Sequence, residues 1–156
     1  MSRISWIAAF GILGVLVLIG WSSIAGAQSL PSPETLQAVT ADLFAELEKH
    51  PLARGEDISI TTLLESVDLS ALLVQVRGAL PPHFHRLTQE IVYLLRGQGV
   101  FELGMEKVSV QAGAVLRVPA GMVHTFTAQG GTAVFLVVTT PRWDIRDRFP
   151  ATELSR

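Results

Sequence analysis

Short apolar runs separated by glycine and proline dominate the chain after residue 58, and they constrain the fold more than any other feature. The runs at 71–76, 91–95, 100–103, 108–110, 114–118, 123–127 and 133–139 have the length of strands rather than of helices. No segment after Arg54 carries apolar residues at a convincing helical spacing. Seven short strands at regular spacing argue for an antiparallel sandwich or barrel. Residues 103–106 (LGME) and 128–131 (AQGG) read as hairpin turns between neighbouring strands. A chain of 156 residues has material for one such core and not comfortably for two.

Two different segments precede the strands. Residues 4–21 carry no charge and are almost wholly apolar, behind a positive charge at Arg3 and ahead of Ala25-Gly26-Ala27. That order is the order of a secretory signal peptide, with cleavage expected after Ala27. The apolar stretch of about 18 residues is longer than the usual signal core and approaches a membrane span, so a retained membrane anchor is the alternative. Both readings put the domain outside the cytoplasm, in the periplasm or beyond the cell, touching a membrane only through residues 1–27 if these stay uncleaved. Residues 28–57 read as a helical segment. Ser32-Pro33-Glu34 reads as an N-cap, a proline in the first turn and an acid suited to the helix dipole. Leu36, Val39, Leu43 and Leu47 recur at helical spacing, Phe44 widens the stripe and His50-Pro51 stops it. The stripe should pack on the strands next in the chain, with His50 as a capping or surface residue.

Charge and cysteine usage exclude several functions. Without residues 1–27, eleven basic residues face fourteen acidic ones, a net charge of -3. The one basic cluster, Arg142, Arg146 and Arg148, is interleaved with Asp144 and Asp147, so no stripe exists for a phosphate backbone and nucleic acid is not an expected partner. Cysteine is absent, which excludes disulfides, thiolate metal sites and a thiol nucleophile.

Three of the four histidines sit in two segments framed by glycine and proline. His83 and His85 are two apart, so on a strand they face one volume while Phe84 points the other way. Glu90 follows the polar turn 86–89 and opens the next strand, so a hairpin can bring its carboxylate to the same volume. His124 stands just after Pro119-Ala120-Gly121, a turn that redirects the chain. Three imidazoles and a carboxylate suit a first-row divalent ion and leave about two octahedral positions open. Ordinary histidines satisfied by hydrogen bonds are the alternative on spacing alone.

The two segments resemble the paired motifs of the cupins. Gly78, His83, His85, Glu90 and Gly97 are similar to the first motif, and Gly113, Pro119, Gly121 and His124 to the second, with a short gap from Gln98 to Ala112. The resemblance covers roughly residues 58–148, leaving 149–156 as a tail. It implies a small antiparallel jelly-roll barrel of all-β class, after one N-terminal helix, with one metal held by His83, His85, Glu90 and His124. The chain departs from the pattern in two places. Four residues rather than the commonest five separate Gly78 from His83, and Ala128 stands where asparagine is frequent. Neither position is a ligand.

Function is less constrained than fold, since cupins include dioxygenases, isomerases, epimerases, decarboxylases, lyases and binding proteins. Strand alternation puts Phe126 on the face of His124, and Val92 and Leu94 on that of Glu90, with Phe101 a further wall residue, so the pocket reads as mainly apolar. Its polar candidates are Gln75 and Arg77, which share a face of the strand entering the first motif, and Arg117; an inward arginine would hold a carboxylate by two hydrogen bonds. Tyr93 is read as an outer-sheet residue, and Trp143 as packing on the barrel or at a subunit contact. Three functions stay open: a metal-dependent oxygenase, isomerase or lyase acting on a small metabolite, a non-catalytic binding or sensing module, and a structural metal site. Manganese, iron, cobalt, nickel, copper and zinc all suit the ligand set. Exposed strand edges leave room for a homodimer.

Overall fold

The period-two pattern folds into eight strands among residues 40–155, which the computed structural model describes. The signal or anchor segment and the helix start at Ser32 lie outside the described residues. The strands are β1 (Ile58–Glu65), β2 (Ser70–His85), β3 (Gln89–Arg96), β4 (Gln98–Leu103), β5 (Glu106–Gln111), β6 (Val115–Val118), β7 (His124–Thr140) and β8 (Arg148–Pro150). Every pairing is antiparallel, in the order β1-β2-β7-β3-β6, with β4 joined to β5 and β7, and β8 to β2. β1 is not among the seven apolar runs. It is an edge strand whose pairing slips between Thr62 and Leu64, which blurs its alternation.

The hairpin at 103–106 forms, with Leu103 paired to Glu106 and Gly104 at a φ of 60°. The one expected at 128–131 does not. β7 runs on through these residues because both of its halves pair with β2: Thr132 faces Arg77 and Thr127 faces Ala79, so 128–131 bulge and bend the strand. Gly130 and Gly131, at φ of 76° and 134°, supply the bend. The turn after His85 is no hairpin either, since β3 pairs with β6 and β7 and not with β2.

A second irregularity decides which side chains face inward. Leu80 pairs with Phe126 and His83 with His124, so β2 spends one residue more than β7 at Pro81-Pro82. Such an insertion reverses the alternation. Val74, Val76 and Leu80 line the interior before it, and His83 and His85 after it. The Thr125 hydroxyl donates to the Leu80 carbonyl beside the bulge.

Helix α1 (Leu43–Lys49) starts later than the sequence suggests. Asp42 is extended and its carboxylate accepts from the Phe44 and Ala45 amides at 3.0 and 3.1 Å, so Asp42 caps a helix that residues 40–42 do not enter. His50 caps the other end, as expected. Leu43 and Leu47 line a small cavity with Leu73, Leu95 and Val134. Inside it, Phe101, Phe126 and Phe135 form a triad with ring centroids 4.9 to 5.8 Å apart, surrounded by Leu72, Val76, Val92, Leu94 and Val118. Burying each ring contributes about 1.5–3 kcal/mol. The tail is part of the barrel: β8 pairs Arg148, Phe149 and Pro150 with His85, Phe84 and His83, and Phe149 stacks on Phe84 at 5.5 Å.

Candidate metal centre

The geometry begins with hydrogen bonds at the far side of each imidazole. His83 Nδ1 lies 2.8 Å from the Pro81 carbonyl, His85 Nδ1 3.0 Å from that of Asp147, and His124 Nδ1 3.0 Å from that of Met122. A carbonyl oxygen only accepts, so each Nδ1 carries the proton and each Nε2 presents a lone pair. The three rings are buried, their centroids 4.1 to 5.4 Å apart, with ligand atoms within 4.8 Å of one another. Glu90 enters from β3: its two oxygens lie 3.4 Å from His85 Nε2 and His124 Nε2.

In the neutral form each ring thus turns its Nε2 lone pair toward the Glu90 carboxylate. His85 Nε2 is buried without a hydrogen-bond partner. An orphaned buried acceptor costs about 1–3 kcal/mol, and a divalent cation among these four side chains would satisfy it. The donor set fits such an ion. Electrostatics agree. Burial, with the charges of His124 and Arg148, pushes His83 down to about 3. Burial also lowers His85, against the pull of Glu90. Burial alone would raise Glu90, yet the hydrogen bond and charge of His124, with His85 and His83, hold it below the ordinary carboxylate value. For His83, His85 and Glu90 these directions favour the neutral imidazole and the ionised carboxylate, the protonation states a metal needs.

Backbone contacts tie the pieces together. The Gly121 amide donates to the His85 carbonyl at 2.6 Å, locking the turn before His124 to the strand of His83 and His85. The Asp147 carboxylate accepts from the amides of Arg86, Leu87 and Thr88 and from the Thr88 hydroxyl, which fixes the turn between His85 and Glu90. Those bonds outweigh its partial burial and lower its pKa.

A cavity of about 60 Å³ adjoins the imidazoles, lined by Val92, Phe101, Phe126, Val137, Trp143 and Arg148. Phe101 and Phe126 line this cavity, and Gln75, Arg77 and Arg117 do not. Gln75 and Arg77 precede the Pro81-Pro82 bulge and so share the outer face; the Gln75 amide donates to the His50 carbonyl at 2.7 Å, and both side chains line a groove beside α1. Arg117 is exposed and donates to Gln89 Oε1 at 3.1 Å. Tyr93 is on the outer face, paired with Val115. Sequence reasoning missed Arg148 as a lining residue and Asp147 as a clamp. Their only signal was the charged segment 144–148, read from sequence as arginines interleaved with aspartates.

Residues 72–139 match the family model described as Cupin domain. The barrel is a cupin domain. The chain is 28% identical over 102 residues to an uncharacterized protein of Aquifex aeolicus (strain VF5), covering 65% of this chain and 84% of that one. Among solved structures it is similar to TT1209 from Thermus thermophilus, with a TM-score of 0.57 and 28% identity over 67% of this chain and 98% of that one. KdgF from Halomonas sp. is similar too, with a TM-score of 0.56 and 26% identity over 62% and 91%. The matched residues hold all four candidate ligands and stop before Trp143, Asp147 and Arg148.

Proposed function

We propose that this chain is an exported cupin that binds one divalent first-row metal through His83, His85, Glu90 and His124 and acts on a small metabolite as an oxygenase, isomerase or lyase. One observation carries the reading: three imidazoles fixed as Nδ1–H tautomers turn their Nε2 lone pairs, with the Glu90 carboxylate, on one buried point. The ion would supply Lewis acidity and, if redox-active, electron exchange. The protein's own part is positioning and exclusion of water. The Phe101, Phe126 and Val92 wall keeps the site dry, and four fixed donors leave room for a bidentate ligand. Export is supported by the charge, apolar stretch and Ala25-Gly26-Ala27 order of the first 27 residues.

A non-catalytic binding module is the second reading. Among the described residues the cavity wall has no titratable group beyond the candidate ligands and Arg148, and so no free general base. Elemental analysis of the full chain, purified without an affinity metal, tests the metal reading. The wild type is expected to hold close to one equivalent and His85→Ala to lose most of it. Full metal stoichiometry in His85→Ala would sink the four-ligand model, and absence of turnover across oxygen-dependent and Lewis-acid screens would favour the binding module.

A further inference from the structure

We propose that the ligand of this cavity is a small carboxylate seated by the Arg148 guanidinium. The inference rests on the metal reading for a second point of attachment, but not for the first. Among the described residues Arg148 is the one arginine or lysine in the cavity wall. It is half-buried and, among the described residues, makes no hydrogen bond and no ion pair. Four other arginines are engaged: Arg86 with Glu153 at 3.5 Å, Arg117 with Gln89 at 3.1 Å, Arg142 with Glu65 at 2.7 Å and Arg146 with Asp144 at 2.5 Å. A guanidinium partly withdrawn from water and left without an acceptor is costly, and an anionic ligand removes that cost.

Its placement is specific. Pairing of β8 with β2 sets Arg148 directly across from His85, and the preceding residue, Asp147, holds His85 Nδ1 through its carbonyl. One short segment thus orients a candidate ligand and presents a cation beside it. This segment lies beyond residues 72–139, so the family match does not account for it.

The chemistry favours a carboxylate over a phosphate. A guanidinium meets a carboxylate with two parallel hydrogen bonds. A doubly charged phosphate needs further donors, and the imidazole Nδ1–H groups are already committed to backbone carbonyls. About 60 Å³ holds only a few water-sized groups, and the wall is apolar, so the rest of the ligand is small and non-polar.

The test is calorimetric titration of the full chain in detergent, both metal-loaded and metal-stripped. The probes are 2-hydroxyisobutyrate, its neutral amide and inorganic phosphate. The acid is expected to bind the wild type, and Arg148→Met to weaken it by about tenfold or more, with the amide and the metal content unchanged. Arg148→Lys, which keeps the charge and loses the fork, is expected to weaken the acid by a smaller factor and decides the matter if the methionine variant does not fold. Equal affinity of the acid for wild type and variants, no binding of the acid in either state, or tighter binding of phosphate overturns the proposal. Failure of the wild type to hold metal instead overturns the metal reading, and the effect of Arg148 in the stripped protein then decides this one alone.

Discussion

Removing the Asp147 carboxylate tests how the C-terminal segment supports the site. It accepts from the Arg86 amide at 3.0 Å, the Leu87 amide at 3.2 Å, the Thr88 amide at 2.9 Å and the Thr88 hydroxyl at 2.7 Å. These donors are not equivalent. Arg86 and Leu87 are exposed, so in Asp147→Ala water takes over their amides and each bond is worth about 0.5 kcal/mol or less. Thr88 is 3% exposed, and its amide and hydroxyl lose a partner that water cannot easily replace, at about 1 kcal/mol each. The sum is about 2–3 kcal/mol, which for a domain of this size lowers the melting temperature by roughly 10 °C. The same turn joins His85 to Glu90, so metal affinity should fall about tenfold, the lower end of outer-shell effects. Thermal melting of the metal-stripped chain at neutral pH measures the first quantity, and competition with a chelator the second. A loss below about 0.5 kcal/mol together with unchanged metal affinity would show that the turn is held by its own backbone and refute the argument.

Two further outcomes come from packing and from protonation. A methyl group at Gly99 would overlap the Thr127 carbonyl oxygen and the Phe126 ring. Gly99→Ala should therefore destabilise the barrel by about 1–3 kcal/mol in urea unfolding and displace Phe126 into the cavity; wild-type stability would contradict the packing. The metal-stripped chain should lose stability as pH falls from the ordinary histidine value of 6.5 toward the value of about 3 that His83 has when folded. In that window the unfolded chain takes up a proton that the folded one refuses, so the slope is at most about 1.4 kcal/mol per pH unit for this residue. Lowered His85 and Glu90 act in the same direction, His124 and Arg148 face the same space, and a flat profile from pH 6.5 to 4 would exclude a neutral buried cluster.

Much of the site was legible because its determinants are local. His83 and His85 share a face whatever the fold around them, since strand alternation is a property of the backbone. Glycine and proline marked where strands end, and the β4–β5 hairpin formed around Gly104 as its sequence required. The errors lie where pairing partners, not local residues, set the outcome. Gln75 and Arg77 have the parity of His83, yet the bulge at Pro81-Pro82 reverses it, and a bulge exists only in relation to the strand opposite. Residues 128–131 look like a turn, but pairing of β7 with β2 on both sides of them carries the strand past as a bulge.

The sequence by itself determined that this chain builds a small antiparallel barrel and carries three histidines and a glutamate at spacings that suit a metal. Tertiary structure alone decided the rest. Folding of β8 onto β2 brings Asp147 and Arg148, about 60 residues downstream, to the side of His85. No local propensity encodes that contact. It arises because Phe149 stacks on the outward-facing Phe84, and burying that pair carries the neighbouring Arg148 to the mouth of the cavity.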